Sequence, residues 1–219
     1  KSLAIDDLIE NPTQTILSSA KRENIVGQKH LSIPLPAELY GQLRANSKGL
    51  DLANDSALAQ LNQTAQQFAK HQWSAAPMGE HIQTNDAVAP QSIINPARHT
   101  DVVGYVQEAT TEQVEQALNN AQAVQDIWAR TAKDTRASYL LRAADLMEAR
   151  LEELMVLLCR ESGKTYANAI AEVREAVDFL RYYATQMIDL DANAEVEPLG
   201  TMLCISPWNF PLAIFTGQV

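Results

Sequence analysis

Between Ser206 and Pro211 the chain reads Ser-Pro-Trp-Asn-Phe-Pro, and one residue there can do chemistry that its neighbours prepare. Ser206 and Phe210 each precede a proline, which pushes them out of the helical region, while Pro207 and Pro211 have φ fixed. Asn209 therefore sits in a stiff turn. Its neutral carboxamide carries two N–H donors. A donor held still in this way suits an oxyanion that develops during carbonyl chemistry. Losing such a donor typically costs about 3–4 kcal/mol of transition-state stabilisation. The bland alternative is that Asn209 closes the turn and Trp208 simply packs, and the pattern alone leaves both open.

Other reactive residue types carry less. Glu161-Ser-Gly-Lys-Thr165 has the end of a phosphate-binding loop, but Leu158 stands where that loop needs its first glycine, and no strand precedes it. The segment reads instead as a helix C-terminus with Gly163 at C′ and a solvated Lys164. Cys159 lies among leucines on a helix, and Cys204 in an apolar strand Met-Leu-Cys-Ile. Neither has the cation, base or helix N-terminus that activates a thiolate, so both read as packing cysteines. His30, His71, His81 and His99 are scattered without an i,i+4 pair, so no metal site is expected.

The elements that must position Asn209 are legible by periodicity. Ahead of residue 90 there are helical pieces near Leu3–Ile9, Thr13–Arg22 and from Asp55 to about Trp73, with His30–Pro36 extended between them. Residues 75–90 read as a linker. Short β-like runs follow at Ser92–Asn95 and Val102–Gln107. Thr110 and Gln113 form a capping box for a helix carrying Val114, Ala117, Leu118, Ala121 and Trp128. One long helix is expected from Asp134, its stripe running Leu140, Ala144, Met147, Leu151, Leu154, Leu158. Another carries Ile170, Val173, Val177, Leu180, Ala184 and Met187, and such stripes would pack on a sheet. A buried strand from Gly200 to Ser206 then leads through the turn into a helix over Leu212–Phe215. Asn209 would thus lie at the carboxyl edge of an α/β sheet, where ligands bind.

The whole chain has 219 residues, 46% hydrophobic and 20% charged, with net charge −10. That is a folded composition, and the acidity argues against a nucleic-acid or anionic-membrane surface. Two cysteines suit a reducing cytoplasm. No signal peptide or membrane span is expected. Lys1 stands in place of an initiator methionine, so an N-terminal cut is expected.

The segment Ile-Ser-Pro-Trp-Asn-Phe-Pro-Leu resembles the strand-turn-helix signature of NAD(P)-dependent aldehyde dehydrogenases. Upstream, Asn95-Pro96, Glu161-Ser-Gly-Lys164, Ala171-Glu-Val173, Arg181-Tyr-Tyr-Ala184 and Glu197-Pro-Leu-Gly200 follow in that superfamily's order. The run from Ala171 to Ala184, together with the final segment, is similar to the bacterial bifunctional proline utilization A family. The resemblance implies an α/β fold: a mostly helical connector over 1–90, then over 91–219 the N-terminal part of a Rossmann-like NAD-binding domain. It implies that Asn209 donates to the substrate oxyanion and that Ile205, Ser206, Pro207 and Trp208 line the NAD side. Phe210 would wall the substrate chain, and Glu175 would meet its α-ammonium group, unless Glu175 is a surface carboxylate beside Arg174 and Asp178.

The parent would oxidise proline with FAD, then glutamate semialdehyde to glutamate with NAD⁺. The nucleophilic cysteine, general-base glutamate and glycine-rich nicotinamide loop would lie past Val219, and the FAD barrel before Lys1. The chain alone is expected to be inactive. Residues 188–197 fit a strand leading to an oligomerisation flap. A homo-oligomer with a small-molecule substrate is implied, and peripheral membrane association of the parent is compatible with it. Rival readings are an aldehyde dehydrogenase of other specificity and a non-catalytic helical interaction module.

Overall fold

The computed structural model describes residues 4–23, 29–30, 32–79, 82, 89–190 and 196–219. Parts of three expected features lie outside them: the 75–90 linker, the extended run after Gly27, and the segment before Glu197.

Eight α-helices, one short 3-10 helix (Pro36–Glu38) and three strands occur among the described residues. The α-helices and strands are α1 (Ile5–Ile9), α2 (Pro12–Glu23), α3 (Asp55–Gln67), β1 (Trp73–Ala75), β2 (Gln91–Ile94), β3 (Val102–Val106), α4 (Thr111–Arg130), α5 (Lys133–Ala149), α6 (Leu151–Ser162), α7 (Tyr166–Asp189) and α8 (Ala213–Gln218). None of these helices is long and apolar enough to cross a membrane.

The core lies where α5 and α6 pack along α7, with α3 laid against α6. Ala144, Leu151, Met155, Leu158, Ala169, Val173 and Val177 fill it, and Leu61 of α3 is fully buried there. These positions recur at steps of three and four, so each helix buries one stripe and burial of that stripe drives the packing. The helices were expected to lie on a sheet. They pack chiefly on one another instead, and the sheet meets them mainly at α6.

α3 ends at Gln67, short of the expected Trp73, and Ile188 and Asp189, read as the start of a strand, close α7; two further differences are larger. The single helix expected from Asp134 is broken at Arg150, whose φ of −107° and ψ of 20° interrupt it and divide α5 from α6. The apolar stripe continues across the break, and arginine is a good helix former, so periodicity gives no warning. The second difference is Gly200–Ser206, which forms no strand. Among the described residues no backbone–backbone hydrogen bond holds it, because no neighbouring strand pairs with it. Met202, Leu203 and Ile205 lie exposed along it rather than buried.

The sheet has the order β1-β3-β2. β2 runs antiparallel and β1 parallel to β3, so its strands come from both sides of the junction expected at residue 90. β1 starts at Trp73, where the helix from Asp55 was expected to end, and reaches only the first residue of the segment read as linker. Gly104 of β3 makes the parallel pairing possible, since a Cβ there would lie 2.2 Å from the Trp73 carbonyl oxygen.

Candidate functional site

The site is built around the end of α6. Gly163 closes that helix at φ 67°, a left-handed position glycine adopts without the Cβ penalty. Thr165 then caps α7 by accepting from the Asn168 N–H at 3.3 Å. This tight connection leaves Lys164 beside the first turns of α7, where Glu172 points into the protein.

Lys164 is not the solvated lysine expected from its place after a C′ glycine. Its side chain is 14% exposed, and its Nζ lies 2.7 Å from Oε2 of Glu172, which is 1% exposed. The same Nζ donates to the Asn209 carbonyl oxygen at 2.8 Å and sits 4.8 Å from the Phe210 ring centroid. The other Glu172 oxygen accepts from the Leu212 N–H at 2.9 Å and the Ala213 N–H at 3.4 Å. One buried ion pair therefore holds both the turn and the start of α8. Within the turn, the Phe210 N–H donates to the Pro207 carbonyl at 3.3 Å.

Held by its backbone in this way, Asn209 is exposed, and so are Ile205, Pro207 and Trp208, the last 83% exposed. Ser206 is half-buried. Gln218 of α8 donates its Nε2 to the Ile205 carbonyl at 3.0 Å, and the Cys204 thiol donates to the Gln218 carbonyl at 3.3 Å. The approach to the turn is thus fastened to α8 at Cys204 and Ile205. The rest of the strip offers apolar side chains, and apart from the Pro207 carbonyl its backbone groups make no backbone pairing among the described residues.

Glu175 lies one turn beyond Glu172 but faces elsewhere. It is exposed and lines a groove of about 570 Å³ with Arg44, Arg174, Phe179, Tyr182 and Tyr183. None of residues 205–210 lines that groove, so the chain does not bring Glu175 and Asn209 into one cavity. Phe179 links the two regions, since a Cβ on Gly217 of α8 would lie 2.8 Å from its ring. Asp178 forms part of the groove wall and is engaged by the Ser47 N–H at 2.9 Å, the Ser47 hydroxyl at 2.6 Å and Arg44 at 3.1 Å.

Cys159 and Cys204 are both half-buried. Burial pushes the Cys159 thiol above its usual range, the opposite of activation. Among the described residues no three His, Cys, Asp or Glu side chains form a metal-binding group.

The residues that sequence reading missed are Lys164 and Glu172. Both fall inside segments that mark the superfamily resemblance. Their partnership with a turn more than 35 residues away is a tertiary contact, and spacing does not encode it.

A helix-rich fold with a small mixed sheet is that of an aldehyde dehydrogenase domain fragment. The chain belongs to the aldehyde dehydrogenase family, whose sequence pattern matches residues 82–219. It is 50% identical over 218 residues to the bifunctional protein PutA of Escherichia coli K12, covering 100% of this chain and 16% of that protein. In structure it resembles proline utilization A from Bdellovibrio bacteriovorus, with a TM-score of 0.72 and 26% identity over 99% of this chain and 22% of that one. It also resembles 1-pyrroline-5-carboxylate dehydrogenase from Thermus with bound NAD, with a TM-score of 0.68 and 26% identity. That match covers 86% of this chain and 37% of the Thermus chain.

Proposed function

We propose that this chain supplies the oxyanion donor and part of the cofactor wall of a proline-catabolic aldehyde dehydrogenase. That enzyme would oxidise glutamate semialdehyde to glutamate with NAD⁺, in a protein that also oxidises proline with FAD through other parts of its length. The observation that carries the reading is the turn itself. Asn209 is exposed at its tip, while a buried ion pair fixes its backbone.

Asn209 would donate its amide N–H to the aldehyde oxygen as negative charge develops there. A donor already in place needs no reorganisation at that moment. NAD⁺ would supply the hydride acceptor. Ile205, Pro207 and Trp208 would press against its ribose and nicotinamide side, with Ser206 contributing backbone, and Phe210 would wall the substrate chain and exclude water. The chain alone would catalyse neither reaction, since the resemblance puts the nucleophilic cysteine and the FAD site in other parts of such a protein. The net charge of −10 supports a small-molecule partner rather than nucleic acid. A cytoplasmic homo-oligomer rests on the cysteine usage and the family resemblance.

The test is Asn209→Ala in a protein carrying this chain within a complete aldehyde dehydrogenase domain. The expected result is a fall in kcat of about 10²–10³-fold with the fold retained. Normal kcat in a folded variant would leave Asn209 as a turn residue.

A further inference from the structure

We propose that Lys164 and Glu172 are positioning residues that fix the reach of the Asn209 carboxamide. The inference rests on the oxyanion reading of Asn209. An oxyanion donor works only within about 2.7–3.1 Å of the position the charge will take. A displacement of about 1 Å can cost on the order of 10²-fold in rate. Asn209 sits in an exposed turn, which by itself is a mobile place from which to meet that tolerance.

The structure supplies the missing rigidity from beneath. Glu172 is buried and makes three contacts: the Lys164 ammonium at 2.7 Å, the Leu212 N–H at 2.9 Å and the Ala213 N–H at 3.4 Å. The Lys164 ammonium is the one charge against Oε2 of this buried carboxylate, and the two N–H groups hold the other oxygen, so giving up a partner would leave charge unpaired in the interior. Lys164 passes that fixity to the turn through one hydrogen bond to the Asn209 carbonyl at 2.8 Å and through the face of Phe210. The carbonyl of Asn209 is thus held inward while its side chain remains exposed. The prolines restrict the turn's internal dihedrals, and the ion pair sets where the turn sits on α7.

The experiment uses a protein carrying this chain within a complete aldehyde dehydrogenase domain, assayed with glutamate semialdehyde and NAD⁺. Four variants are compared: N209A, K164M, K164M/N209A and K164M/E172Q. The expected result for K164M is a kcat lowered about tenfold or more, with the Kd for NAD⁺ within about twofold. Adding K164M to N209A lowers kcat by less than about twofold further, because residues acting through one group are not additive. K164M/E172Q leaves no orphaned carboxylate. It is expected to fold, by circular dichroism and thermal melt, and to show the same kcat loss.

Unchanged kcat in K164M overturns the proposal, and so do K164M and N209A losses that multiply. If N209A alone leaves kcat intact, the oxyanion reading falls and takes this inference with it. An impaired N209A beside an unimpaired K164M refutes the positioning role alone.

Discussion

Arg160 donates to both carboxylate oxygens of Asp101, at 2.7 Å to Oδ1 and 3.3 Å to Oδ2, with both side chains about nine-tenths buried. The same guanidinium donates to the Phe68 and His71 carbonyls at 2.8 and 2.7 Å. One side chain on α6 therefore joins the exit of α3 to the start of β3. Removing it takes the main cationic partner from a buried carboxylate, which keeps only the Asn95 amide and the more distant Arg98, and takes a donor from the Phe68 and His71 carbonyls, of which Phe68 keeps the His71 N–H. Arg160→Met is expected to cost about 3–5 kcal/mol, read as a lowered urea midpoint with an unchanged slope. A loss below about 1 kcal/mol would show that the contact is not structural glue.

The same pair sets an acid limit. Hydrogen bonds from Arg160, then Asn95, hold the Asp101 carboxyl down from an ordinary value of 3.8 to about 2. A carboxyl lowered in the folded state contributes stability fully above its unfolded value, and that stability is lost as pH falls through the folded one. Unfolding followed from pH 6 to pH 2 should show stability declining below about pH 4, and Asp101→Asn should flatten that decline. Equal acid slopes in the two proteins would assign acid loss to other carboxylates.

How much of this could be read beforehand depends on what each element rests on. The capping box at Thr110 and Gln113 appears as expected because it is made within four residues. The α7 stripe is likewise a local period. The break at Arg150 was illegible because the apolar stripe runs on across it and arginine is no helix breaker. The strand expected at Gly200–Ser206 failed for a related reason, since an apolar run becomes a strand only where another strand pairs with it. Asn209 was visible as a candidate from the prolines around it. Lys164 and Glu172 were not, because a lysine after a C′ glycine looks the same whether it faces water or a buried glutamate.

Gly104 tests the least expected strand. Its missing side chain lets the Trp73 carbonyl approach to where a Cβ would stand at 2.2 Å. Gly104→Ala should force β1 away from β3 at a cost of about 1–3 kcal/mol, the usual penalty for overpacking. The informative readout is amide exchange at Gln107, whose N–H donates to the Ala75 carbonyl at 2.9 Å. That amide should lose protection while amides in α7 keep theirs. Unchanged protection would mean that the strands absorb the methyl without parting.

If Glu175 meets the substrate's α-ammonium group, substrate choice should depend on its charge. Its carboxylate stands exposed in a groove with Arg174, Tyr182 and Tyr183, within reach of solvent and of any substrate chain that enters. A substrate carrying an α-ammonium group could pair with it, whereas a simple aliphatic aldehyde has nothing to offer. Charged hydrogen bonds are worth about 1.5–3 kcal/mol, and exposure pulls the value toward the lower end. In a protein carrying the complete domain, Glu175→Gln should lower kcat/KM for glutamate semialdehyde about tenfold. The same value for an aliphatic aldehyde of similar length should stay within about twofold. Glutamine keeps the size and one acceptor oxygen, so the difference between substrates reports the charge. Loss for both would make Glu175 a packing or folding residue, and loss for neither would leave it a surface carboxylate.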